Sequence, residues 1–284
     1  GLGLGSIEVG GNGLIVDLHQ ANRGRYLNLL AVFHGVGAFV VPLYAAQLLS
    51  TDFSWRQVYQ FSILLTVVLA FFFAVVKYPR AASSGGGLNL RTLFTAGFTR
   101  RMTWYYLFVA VYVAAEIGVA SWIVQYLQQV KGYSVSVSSL YLSLFFAAIM
   151  VGRLAGSFFV ERIGYLTLML TATVASIICL GIGLFGPPAL VFFIPLTGLF
   201  FSIMFPTATA SVSALQVANM GAILGVLFTF GGLGGALGPW LIGVAADAVG
   251  LELAFALTLL FCVLMLGALL MLRQMARAES QVGA

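Results

Sequence analysis

Nine long apolar stretches constrain this chain more than any other feature. They run roughly over residues 1–18, 27–49, 57–77, 104–128, 136–160, 166–186, 189–213, 219–246 and 252–273. About 20 helical residues, rising 1.5 Å each, cross the hydrocarbon core of a bilayer, so each stretch is a candidate span. The runs are continuous and lack the alternation of a barrel strand, so the expected fold class is an all-α membrane protein. Composition agrees, with 61% of residues hydrophobic and 7% charged, against about 25% charged in soluble domains. The net charge of +5 is scattered between the apolar runs instead of forming a patch with interleaved aromatics, which argues against a nucleic-acid partner. Cys179 and Cys262 lie inside apolar runs, so neither a disulfide framework nor a metal cluster is expected. No enzyme motif or cofactor fingerprint occurs, so no catalytic residue and no cofactor is assigned.

Basic residues mark the cytoplasmic ends of spans. With alternate connections taken as inside, Arg23, Arg25, Lys77, Arg80, Arg91, Arg100, Arg101, Arg153, Arg162, Arg273 and Arg277 fall on one side, and only Arg56 and Lys131 on the other. The expectation is a multi-pass inner-membrane protein with a cytoplasmic C-terminus. Gly1 stands inside an apolar stretch without Met, basic leader or cleavage site, which reads as truncation upstream.

An internal repeat then narrows the fold. Ala21, Asn22, Gly24, Leu27, Leu30, Phe33, Gly35, Gly37 and Pro42 recur, at a constant offset of 197, as Ala218, Asn219, Gly221, Leu224, Leu227, Phe230, Gly232, Gly234 and Pro239. The second and eighth spans are therefore equivalent, six apart and parallel. Two six-helix halves in parallel repeat are the plan of the major facilitator fold. The chain is then expected to hold nine of twelve transmembrane helices, the fourth to the twelfth. Residues 1–77 would be the rest of the N-terminal bundle (helices 4–6), 78–103 a cytoplasmic linker, 104–273 the C-terminal bundle (helices 7–12) and 274–284 a cytoplasmic tail.

Charges near the bilayer centre are expensive and usually face a cavity. Glu8 lies about 15 Å from one end of its span and Glu116 at a similar depth in the seventh. Glu8 suits a proton-coupling carboxylate that also binds substrate, or else an interhelical hydrogen-bond partner. Asn12 follows one turn later and offers a donor and an acceptor to a polyol or to Glu8. His34, on the fifth span, suits substrate binding, a proton relay or a structural hydrogen bond. Asn28 reads as a structural contact. Glu116, Trp122, Gln125 and Tyr126 share a side of the seventh span, where an aromatic beside amide and carboxylate groups is sugar-binding chemistry. The alternative places Trp122 and Tyr126 in an interfacial belt. Gly152, Arg153, Gly156, Glu161, Arg162 and Gly164 span the end of the eighth helix and a short turn. Their glycines permit close helix approach, and charge pairs among Arg153, Glu161 and Arg162 would make a gating latch.

Glu8-Val9-Gly10-Gly11-Asn12, Leu27-Asn28-Leu29, Phe33-His34-Gly35-Val36-Gly37-Ala38, Tyr112-Val113-Ala114-Ala115-Glu116 and the Gly152-to-Gly164 turn resemble the fucose/proton symporter branch of the major facilitator superfamily. The resemblance extends over essentially the whole chain. It implies sugar binding and proton coupling at Glu8, together with an aspartate on a first helix. His34 stands where the fucose motif has an asparagine, which leaves the sugar open among fucose, glucose and galactose, and sodium open beside the proton. The expected function is proton-coupled uptake of a monosaccharide by alternating access, with export of drugs or metabolites as the alternative. The expected partners are a small polar substrate of the sugar class, a proton or sodium ion, and the lipid bilayer around a monomer.

Overall fold

The computed structural model describes residues 2–50, 53–77, 97–215 and 220–282. Helix forms in each of the nine apolar stretches among these residues: α1 (Leu2–Leu18), α2 (Arg23–Ser50), α3 (Trp55–Val75), α4 (Arg100–Gln129), α5 (Val135–Ile163) and α6 (Tyr165–Phe185), then α7 (Phe193–Phe201), α8 (Met204–Ser213), α9 (Met220–Val249), α10 (Leu251–Phe255) and α11 (Leu257–Val282). Seven spans among the described residues are long and apolar enough to cross a membrane. They are α3, α4, α5, α6, the α7–α8 pair, α9 and the α10–α11 pair. The two copies of the internal repeat fall on α2 and α9, each a long helix. Ala218 and Asn219 of the repeat, and most of the expected linker, lie outside the described residues.

Local chemistry sets the boundaries. Ser54 caps α3 in a reciprocal box with Gln57, Thr99 accepts from the Met102 amide at the start of α4, and Ser134 accepts from Val137 at the start of α5. A single residue, Gly164 with φ 85°, turns α5 into α6, and Gly250 with φ 84° turns α9 into α10. Side chains rarely adopt that backbone region, so the shortest turns fall on glycine. The stretch expected as one helix over 189–213 is broken at Ser202–Ile203. Pro206 has no N–H to offer the carbonyl of Ser202, which explains the break. Pro239, by contrast, sits inside an unbroken α9.

By contact, the chain divides into two compact units, Gly1–Val32 with Leu88–Ala284, and Phe33–Gly87. In the smaller unit, α3 turns Leu64, Leu65, Val67, Val68, Phe71 and Phe72 outward, as suits a lipid-facing helix. In the larger unit α4 is the hub, packing on α5, α9 and α11. Tyr105, Tyr106, Phe108, Tyr112, Ile123 and Tyr126 of α4 are buried in its core. Gly231, Gly234 and Gly238 of α9 share one face and bring it onto Val109, Ala110 and Ala114. A side-chain carbon at Gly234 would overlap the Ala110 carbonyl, and one at Gly238 would sit 2.5 Å from the Ala114 Cα. Several buried hydroxyls are spent inside their own helices, as in Thr173 donating to the Met169 carbonyl and Ser213 to that of Thr209. Arg101, at the start of α4, pairs with Glu279 of α11 at 2.6 Å.

Candidate functional site

Glu116 lies near the middle of α4, sixteen residues after Arg100, or about 24 Å along the axis. Tyr112, one turn earlier, is buried and donates its hydroxyl hydrogen to Oε2 of Glu116. Phe201 of α7 packs edge-on against the Tyr112 ring. Arg153 of α5 is the charged residue that acts electrostatically on Glu116, although no direct ion pair joins them among the described residues. One guanidinium nitrogen of Arg153 donates instead to the Ala31 carbonyl of α2 at 3.0 Å. Tyr112 and Glu116 are thus paired on α4, while Arg153 reaches from α5 to α2.

This placement changes the reading of Arg153. It stands ten residues before the end of α5, about 15 Å along the axis from that end. Its Nε is buried without a partner. Asn28 of α2 lies on the same seam, fully buried, with its amide nitrogen donating to the Gly24 carbonyl at 2.8 Å and its Oδ1 unpartnered. A carbon added to Gly156 of α5 would sit 3.2 Å from that Oδ1. Gly152 faces the Leu199 backbone and Ser202.

The expected charge pairs of the turn are replaced by something else. Glu161 accepts the backbone N–H groups of Gly24 at 2.8 Å and Arg25 at 3.3 Å, and the hydroxyl of Tyr165 at 3.0 Å. A carboxylate on α5 thereby fills the open donors at the start of α2, where the helix dipole favours negative charge. Arg162 points outward, and Gly164 supplies the turn. Gly24 allows the close approach, since a carbon there would lie 2.8 Å from the Tyr165 ring and 3.0 Å from Glu161.

The remaining candidates divide. Trp122 is partly buried, its indole N–H donating to the Pro239 carbonyl at 3.0 Å and its ring beside Gly243, so it fastens α4 to α9. Tyr126 is buried in a stack with Phe255, its hydroxyl without a partner, and Lys131 lies 5.6 Å from the ring centre. Gln125 is exposed. Glu8 is exposed on α1, and Asn12 donates to the Glu8 backbone carbonyl at 2.7 Å, not to its carboxylate. His34 is in α2, with its side chain outside the described residues. Sequence reasoning passed over Tyr112, although its spacing of four from Glu116 was a usable signal. Ala31 and Gly24 act through backbone atoms and left none.

Comparison with known proteins follows the same outline. The family model for the Major Facilitator Superfamily matches residues 1–215 and 136–284. A glucose/galactose transporter of Brucella abortus biovar 1 (strain 9-941) is 29% identical over 251 residues, covering 82% of this chain and 60% of its own length. A putative glucose/galactose transporter of Helicobacter pylori (strain J99) is 23% identical, covering 86% of this chain and 64% of its own. A cis,cis-muconate transport protein of Acinetobacter baylyi is 24% identical, covering 89% and 65%. The chain thus spans 60% to 65% of the length of these relatives. The crystal structure of the E. coli fucose:proton symporter, FucP, superposes with a TM-score of 0.78 at 18% identity, covering 95% of this chain and 74% of that one. That likeness concerns the fold.

Proposed function

Because this chain belongs to the Major Facilitator Superfamily, we propose that it is the greater part of a secondary transporter that takes up a monosaccharide together with a proton by alternating access. The observation that carries the reading is the presence of Tyr112, buried and donating to Glu116, and of half-buried Glu116 and Arg153 in an otherwise apolar bundle. Such groups suit an uncharged, hydroxyl-rich substrate, since the carboxylate and guanidinium offset each other and leave no net charge for the substrate to match. The names of the glucose/galactose relatives lean the same way.

The nine helical stretches correspond to the fourth to twelfth helices of a twelve-helix plan, a count supported by the repeat at offset 197. In this plan α1 to α3 belong to the N-terminal bundle and α4 to α11 to the C-terminal one. The chain lies in the plasma membrane with its C-terminus cytoplasmic, in keeping with the distribution of Lys and Arg, and works as a monomer. Glu8 is the coupling carboxylate, and Asn12, His34, Glu116 and Gln125 contribute to the sugar site. Trp122 and Tyr126 shape its wall, because the indole N–H and both rings already have packing partners. Glu161, Arg153 and the glycines beside them form the gate. A carboxylate substrate is the second reading, favoured by the muconate relative and by Arg153 as the cation that would receive it.

The test uses the product of the entire gene in cells whose external pH is recorded while fucose, galactose, glucose or muconate is added. Sugar-specific alkalinisation that vanishes in Glu8→Gln is the expected result. Labelled sugar uptake without any pH change sinks proton coupling in favour of sodium or facilitated diffusion. A response to muconate alone sinks the sugar, and silence toward all four favours export.

A further inference from the structure

We propose that Tyr112 is a positioning residue for sugar selection: its phenol holds one oxygen of Glu116 and leaves the other to the substrate, so that the carboxylate reads the orientation of a single sugar hydroxyl. The inference rests on the transporter reading and deepens it, by naming what fixes the direction of an acceptor on α4.

Three observations carry it. First, the pair is in direct contact. Long side chains on a helix lean back over the preceding turn, which brings the Glu116 carboxylate over Tyr112, and the Tyr112 hydroxyl donates to its Oε2. Second, Tyr112 is held where it is. It is buried, its ring stacks on Phe108 at 6.4 Å and meets Phe201 of α7 edge-on at 6.2 Å. A buried phenol needs a hydrogen-bond partner, and the partner this one has is Glu116. Third, the carboxylate stands at a boundary. Tyr112, Ala115 and Val119 lie on the buried side of α4, whereas Val113, Glu116, Ile117 and Ala120 are partly exposed. The second oxygen of Glu116, Oε1, has no hydrogen bond among the described residues and is not a buried atom. A carboxylate beside Val, Ile and Ala is costly against lipid, so this side of α4 borders a polar passage.

The consequence for recognition is geometric. The last torsion of a glutamate is soft, so a free carboxylate turns easily about it. With one oxygen tied to the phenol, that turn is blocked and Oε1 accepts along one direction. An ionised carboxylate accepts and does not donate, so what it selects is the position of a hydroxyl hydrogen. An epimer whose hydroxyl points elsewhere leaves that acceptor without a partner. Tyr112 therefore contributes to discrimination without touching the sugar.

The experiment measures uptake of labelled glucose and galactose, which differ in the orientation of one hydroxyl, by the product of the entire gene reconstituted in liposomes. Tyr112→Phe keeps the ring and removes the donor. It should raise the KM of the better sugar by roughly tenfold, leave the maximal rate within about twofold and bring the two KM values together. In a Glu116→Gln background the same substitution should change neither KM by more than about twofold, because the phenol then has no carboxylate to act through. Infrared difference spectroscopy without sugar gives a second readout: the carboxylate band that disappears in Glu116→Gln should shift in Tyr112→Phe. An unmoved band, an unchanged KM, or a KM rise that persists in the Glu116→Gln background overturns the proposal. A shifted band with no uptake of either sugar removes the sugar assignment while the tether stands, whereas normal uptake with an unmoved band removes the tether alone.

Discussion

The seam between α4 and α9 and the seam between α2 and α5 join helices by opposite means. Along the first, Gly231, Gly234 and Gly238 press backbone against backbone, and the Trp122 indole fastens the far end to the Pro239 carbonyl. Dispersion there is gathered over the whole contact, and separation would strand it all at once. Along the second, the contacts are few and polar: Glu161 on the amides of Gly24 and Arg25, Arg153 on the Ala31 carbonyl, and two buried atoms with no partner. Bonds of that kind exchange readily for others. A helix pair meant to stay together is built like the first, and one meant to part is built like the second.

Substitutions can break or sharpen this contrast. The largest effect is expected at Gly234→Leu, whose side chain would overlap the Ala110 backbone; overpacking of about 3 kcal/mol or more should abolish monodisperse protein on size-exclusion chromatography. Normal elution would mean that the α4–α9 seam yields as easily as its counterpart. Next comes Glu161→Ala, which leaves the two amides of α2 without their acceptor at a cost of about 1–2 kcal/mol. It should lower the melting temperature by roughly 2–8 °C, and Glu161→Gln, which keeps an acceptor oxygen, should do so less. A smaller effect is expected at Trp122→Phe, where one hydrogen bond is lost at about 1 kcal/mol. Thermal unfolding should shift down by roughly 2–4 °C with the sugar KM little changed, because the substitution keeps an aromatic ring in the wall of the site; a sharp loss of affinity instead would make the indole N–H a direct sugar ligand. Smallest is Gln125→Leu, an exposed position where stability should move by no more than about 0.5 kcal/mol. Any change there should appear in the sugar KM.

Much of this contrast was out of reach of sequence reasoning, for a definable reason. Helices were legible because span length and hydropathy are properties of a continuous segment, and the repeat at offset 197 tied α2 to α9 before any coordinates. The break at Ser202 was legible in principle, since Pro206 removes a donor four residues on. Partners were not, because they lie far away along the chain and are often backbone. Glu161 bonds amides 137 and 136 residues away, and the carbonyl that holds Arg153 is 122 residues away. Spacing suggested pairs among the nearest opposite charges, Arg153, Glu161 and Arg162, and missed that helix ends and carbonyls compete for the same groups. The partner of Arg153 escaped for a related reason: a basic residue near a turn ordinarily marks a membrane face, and nothing in its neighbours announces an acceptor carbonyl on another helix.

The ion pair between Arg101 and Glu279 has a consequence for how the protein is made. The two residues are separated by 178 positions, and α4 also packs on α11, the last helix. At about 5–20 residues per second, a ribosome needs roughly 10–35 seconds to travel from one partner to the other. During that interval α4 has left the translocon with Glu116 already in the bilayer and its closing helix unsynthesised. A chaperone or protease surveying the nascent chain therefore meets an unfinished bundle for that time, and a stop codon before Glu279 would make the interval permanent.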